Sequence, residues 1–90
     1  MPRTMSAPIT IKLLYFAALR ELAGSEGETL TLPLDVSHVG SLRTWLDTHH
    51  PALAGRLKAT RLAVDEAFAD DGDALHEGAV VALIPPVAGG

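Results

Sequence analysis

Ninety residues leave room for one domain, with a single core between two packed layers. At 48% hydrophobic and 20% charged residues, the chain has enough apolar surface to fold and too little charge to be a disordered segment. Seven Lys and Arg against eleven Asp and Glu give a net charge of -4, which argues against nucleic acid and anionic membrane surfaces as partners.

Residues 1–8 (MPRTMSAP) show no periodicity and read as a loose N-terminal extension. From Ile9 the pattern alternates, with Ile9, Ile11, Leu13 and Tyr15 on one face and Thr10 and Lys12 on the other, as in a strand with one buried side. Ala17 to Ala23 is built from strong helix formers and is followed by Gly24, so a short helix is predicted there. Glu28 to Leu32 alternates again and Pro33 stops it, giving a second, antiparallel strand. Val39, Leu42, Leu46 and Leu53 fall near helical spacing with Trp45 beside them, which predicts the main amphipathic helix over Val39 to His50.

Ser37 or His38 would start that helix, without a capping box because Gly40 stands where Glu or Gln is wanted. Pro51 ends it, and His49 and His50 suit the negative end of its dipole. Arg61 to Phe68 reads as strand and turn with Leu62 and Val64 inward, and Asp70-Asp71-Gly72-Asp73 as a turn. Ala74 to Gly78 makes one short helical or irregular turn. Ala79 to Ile84 (AVVALI) is an apolar run of the kind found in strands covered on both faces. The order predicts an α+β, β-grasp fold: a mixed sheet of four to five strands, the last beside the first, with one main helix on one face. The domain would span residues 9–84 and a projecting tail residues 85–90.

Most catalytic constellations are missing. Without cysteine there is no disulfide framework, thiolate nucleophile or thiolate-bound metal, a composition compatible with a reducing cytosol. The longest apolar run, Leu13 to Leu19, is far short of the roughly 20 residues that span a bilayer, and no cleavage pattern follows it. The expectation is a cytoplasmic protein. His49 and His50 are adjacent and point to different faces, whereas two metal ligands on one helical face stand three or four apart. Aligning Gly72 or Gly78 with the glycine of a calcium loop leaves Gly78 or Ile84 at the closing position, so no bidentate acid completes it. No metal is expected. Ser25, Ser37 and Ser41 lack a nucleophile elbow, and no glycine-rich loop precedes Lys-Ser or Lys-Thr.

The end of the chain stands out. Pro85 and Pro86 stop a strand and hold the backbone extended, Val87 and Ala88 follow, and Gly89 and Gly90 carry no side chains. Such a stalk can enter a narrow channel and bring the carboxylate of Gly90 to a reactive centre. The alternative is a frayed end that happens to finish in glycine. A second feature is the even face of the first strand, where Leu14 and Phe16 would be joined by Ala82 and Ile84 of the last strand, with Phe68 extending the patch. These residues either seek a partner or finish a second small core.

The run Ile11 to Gly24 (IKLLYFAALRELAG) resembles the opening of the MoaD-type sulfur carriers, the small subunits of molybdopterin synthase, and Ala82 to Gly90 (ALIPPVAGG) resembles their close. The similarity covers residues 9–90. It implies a ubiquitin-like β-grasp domain, not catalytic alone, that binds no cofactor itself. Its C-terminal glycine, here Gly90, would be adenylated by an ATP-using, E1-like adenylyltransferase and converted to a thiocarboxylate with sulfur from a donor protein. In the large subunit's active site that sulfur would pass to cyclic pyranopterin monophosphate. Phe16, Phe68 and Ile84 fall on the family's partner-facing positions. Two departures are evident: Asp65 stands where relatives often have Asn, and His76-Glu77-Gly78-Ala79 replaces a commoner Asp-Gly-Asp-Glu turn. A sulfur carrier for thiamin thiazole or a sulfur amino acid, and a ubiquitin-like modifier joined to lysines, are the competing readings.

Overall fold

The computed structural model describes residues 8–86. The N-terminal extension, apart from Pro8, and the tail residues Val87, Ala88, Gly89 and Gly90 lie outside the described residues. Alternation of Ile11, Leu13 and Tyr15 with polar neighbours produces strand β1 (Thr10–Tyr15), all three of those side chains being buried. Helix α1 (Ala17–Ala23) ends on Gly24 in the left-handed conformation at φ 77°. Strand β2 (Gly27–Thr31) returns antiparallel to β1, and Leu32 just beyond it is buried.

Helix α2 (Val39–His49) buries Val39, Leu42 and Leu46 on one stripe. Contrary to the sequence reading it has a capping box. His38 is the N-cap, so the third helical position is Ser41, not Gly40; Ser41 donates its backbone N–H to His38 and receives the His38 N–H on its hydroxyl. The acidic turn completes the cap, because the carbonyls of Asp73 and Asp71 accept the N–H groups of Val39 and Gly40. Two 3-10 turns, Pro51–Leu53 and Leu57–Ala59, then bury Leu53 and Leu57 beneath the sheet.

Strands β3 (Arg61–Val64), β4 (Ala67–Ala69) and β5 (Val80–Ile84) complete a five-stranded mixed sheet in the order β2-β1-β5-β3-β4. The last strand lies parallel to the first, the pairing that defines the β-grasp plan, and its other edge is antiparallel to β3. Residues 74–78 form an irregular connection, not a helical turn. Phe68 lies in strand β4, not in a turn, because Asp65 and Glu66 alone make the hairpin between β3 and β4. Their φ values, 51° and 74°, match a two-residue type I′ connection normally given to Asn and Gly.

The core fills the space between α2 and one sheet face. Its fully buried aliphatic side chains, among them Ile11, Leu13, Leu42, Leu46, Leu62 and Leu83, each contribute about 1.5–3 kcal/mol by burial. Among the described residues no helix is long and apolar enough to cross a membrane.

Candidate functional site

Strand β5 positions everything that follows. Val81 and Leu83 are fully buried against α2, whereas Val80, Ala82 and Ile84 are only half-buried. The expectation that this strand is covered on both faces is therefore corrected. Its apolar outer residues face a side of the sheet over which no element among the described residues lies.

Strand register shows what shares that side. Paired residues point to the same face, so Gly27, Leu14, Ala82, Ala63 and Phe68 form one row across the five strands. A Cβ on Gly27 would come within 2.2 Å of the Leu13 carbonyl, so only glycine fits this end of the row, leaving Leu14 without a large neighbour there. Beside that row lie Ile84 and its partner Arg61, whose guanidinium sits 3.6 Å from the centre of the Phe68 ring. Phe16 continues the alternation of Leu14 at the corner between β1 and α1. There Ala17 adopts a left-handed conformation at φ 51°, which costs a non-glycine residue about 1–2 kcal/mol. Phe16 is 45% and Phe68 57% exposed. The three residues expected on one patch are thus brought to one face, at the end of the sheet where β5 stops.

Pro85 and Pro86 continue from Ile84 beside a hollow of about 290 Å³, bordered by Leu19 and Leu22 of α1 and by Gly55, Arg56 and Thr60. Val87, Ala88, Gly89 and Gly90, the rest of the expected tail, lie outside the described residues. Among the described residues no group of three or more His, Asp or Glu could hold a metal ion.

Three polar arrangements around this frame escaped the sequence reading. The Arg43 guanidinium donates to the Leu57 and Thr60 carbonyls, the latter at 2.6 Å, and pairs with Asp71 at 3.2 Å. It thereby fixes the 3-10 segment against α2. The Tyr15 hydroxyl donates to Glu28, and His50 Nε2 lies 3.0 Å from the same carboxylate, joining β1, β2 and the end of α2. Burial, and then the Glu28 carboxylate, raise the Tyr15 pKa far above its ordinary value.

The third arrangement unites the two departures from the resembled family. Asp65 Oδ1 accepts the N–H of Val80, the first residue of β5, at 3.0 Å, while Oδ2 lies 2.6 Å from His76 Nε2. The Val80 N–H, and then His76, lower the Asp65 pKa; the Glu77 carbonyl, and then Asp65, raise that of His76. The pair ties the hairpin to the start of the last strand.

Comparison with known proteins agrees with this architecture. The ThiS family matches residues 13–90. The chain belongs to that family. It is 39% identical over 82 residues to the molybdopterin synthase sulfur carrier subunit of Chlamydomonas reinhardtii, covering 89% of this chain and 98% of the relative. It is 33% identical over 85 residues to the human protein of the same name, covering 89% and 93%. In structure it is similar to the small archaeal modifier protein 1 of Haloferax volcanii, with a TM-score of 0.74 at 28% identity over 88% of this chain and 99% of that one. Among ThiS-family members, then, this one has the ubiquitin-like β-grasp fold and curated relatives that are sulfur carriers of molybdopterin synthase.

Proposed function

We propose that this chain is the sulfur-carrying small subunit of a molybdopterin synthase, with the carboxylate of Gly90 as its reacting group. The observation that carries the reading is that β5 runs from the core directly into Pro85-Pro86 beside an uncovered apolar patch, on a chain whose relatives bear that function. A carboxylate resists substitution until one oxygen becomes part of a leaving group. An E1-like partner would supply this by joining the Gly90 carboxylate to AMP from ATP with release of pyrophosphate. A sulfur donor then replaces AMP with sulfur, leaving a thiocarboxylate. The stalk of Pro85 to Gly89 would carry that sulfur into the large subunit, where it transfers to cyclic pyranopterin monophosphate and water restores the carboxylate.

Leu14, Phe16, Phe68 and Ile84 would seat the large subunit, which supplies the catalytic groups. Side-chain chemistry on the small subunit is not required, in keeping with its lack of cysteine. Deleting Gly90 tests the reading. Sulfur transfer is expected to be abolished while the melting curve and binding to the large subunit persist; transfer at the parent rate would overturn it.

The likeness to a small archaeal modifier favours a second reading, in which Gly90 is joined to lysines of other proteins. Lysine conjugates in extract, lost with Gly90, would support it over the first.

A further inference from the structure

Positive charge is unevenly placed in this acidic chain. Between Asp47 and Asp65 there is no acidic residue, and the segment contains Arg56, Lys58 and Arg61. The fold gathers these three where β5 ends. Arg61 pairs across the sheet with Ile84, Arg56 borders the hollow beside Pro85 and Pro86, and Lys58 joins Arg61 along a second, polar hollow of about 410 Å³. All three are exposed, and among the described residues none is in a salt bridge. Asp70 and Asp71 border the same hollow as Lys58 and Arg61, Asp71 being engaged by Arg43, and Asp47 is engaged by the Gly55 N–H, which donates to its Oδ1 at 2.7 Å. The segment is also held in place, because Arg43 ties down the Leu57 and Thr60 carbonyls and buried Thr60 donates its hydroxyl to the Arg56 carbonyl at 2.8 Å.

We propose that Arg56, Lys58 and Arg61 form a basic collar around the root of the tail that docks on an acidic rim at the mouth of the large subunit's active site. This rests on the function proposed above. On that reading chain length forces the encounter, since the four residues after Pro86 reach at most about 14 Å even when fully extended. A reaction centre that meets Gly90 therefore brings its mouth up to the collar. The partner's surface at that point must suit three unpaired cations or leave them desolvated without compensation. Collar and apolar patch are continuous through the stacked Arg61 and Phe68. The patch would supply lasting contact and the collar would orient the approach, a role that shows in the association rate.

The test is stopped-flow association of the full chain with its large subunit, comparing the parent with Arg56→Glu/Lys58→Glu and the neutralised Arg56→Gln/Lys58→Gln. Lys12→Glu serves as a control at the opposite end of β5, where Lys12 pairs with Val80. At about 20 mM salt the reversal should slow association roughly tenfold or more and the neutral variant less, with the differences shrinking at about 500 mM. Lys12→Glu should have little effect, and dissociation rates and melting curves should stay near the parent's. Equal low-salt association rates for parent and reversed variant, with tail-dependent sulfur transfer intact, would overturn the collar and leave the proposed function standing. Reversal that abolishes binding of magnesium ATP to the isolated chain without slowing association would also overturn it, in favour of a small-anion site. Failure of the parent itself to associate would overturn both.

Discussion

Truncating the two exposed phenylalanines gives a direct measure of the outer face. A phenylalanine presents about 200 Å² of surface, so 45% exposure leaves about 90 Å² of Phe16 and 57% leaves about 115 Å² of Phe68 for a partner to cover. At about 25 cal/mol per Å² those areas correspond to about 2 and about 3 kcal/mol if fully buried. Ordering costs and the residual alanine reduce this, so Phe16→Ala and Phe68→Ala should each weaken large-subunit binding by about 1–2 kcal/mol, a five- to thirtyfold rise in Kd. Phe68→Ala should also cost the isolated fold about 1 kcal/mol, because it removes the ring beneath Arg61, and lower the Tm by about 4–8 °C. The assay is calorimetric titration of the large subunit alongside thermal melts. Leu34→Ala is the informative control, since Leu34 is also 57% exposed but lies in the connection between β2 and α2, away from the patch. If all three variants lose affinity equally, or neither phenylalanine variant loses any, position on the outer face is not what matters and the reasoning fails.

Further outcomes follow from the backbone and the charges. Glu66→Gly should raise stability by about 0.5–1 kcal/mol in denaturant unfolding, because relief of the φ 74° conformation outweighs the added freedom of the unfolded chain; a loss would show that the Glu66 side chain stabilises the hairpin. The Asp65–His76 pair predicts a pH window. The depressed Asp65 pKa adds stability that is present above the ordinary 3.8 and lost as pH falls through its lower folded value. The raised His76 pKa adds stability that is present below 6.5 and lost as pH climbs through its higher folded value. Both groups are exposed, so added salt should shrink the effect. Stability curves of parent and His76→Gln should converge as pH rises above that folded value; parallel curves would remove the pair from the account.

How much of this was legible in the sequence depended on whether the signal was local. Ile11, Leu13 and Tyr15 announce β1 by alternation, and the helix formers before Gly24 announce α1, because period and capping chemistry act within a few residues. The outer patch was legible for the same reason: Leu14 and Phe16 occupy the face that alternation assigns them. Phe68 reads as part of a turn because a three-residue strand carries almost no period, and the tight hairpin before it uses Asp-Glu in place of Asn-Gly. The apolar run of β5 reads alike whether one face or two is covered, since Ala82 and Ile84 do not reveal what lies above them. Arg43, the Tyr15–Glu28–His50 cluster and the Asp65–His76 pair join residues 11 or more positions apart, and no local pattern marks such partners.

The central claim concerns one carbonyl, and intact mass reads it most directly. Incubated with ATP, the activating enzyme and a sulfur source, the chain is predicted to gain about 16 Da, an oxygen exchanged for sulfur, localised to Gly90 by fragmentation. Mass that stays unchanged while the activating enzyme is shown to turn over another carrier, or a gain that maps elsewhere than Gly90, would contradict the account.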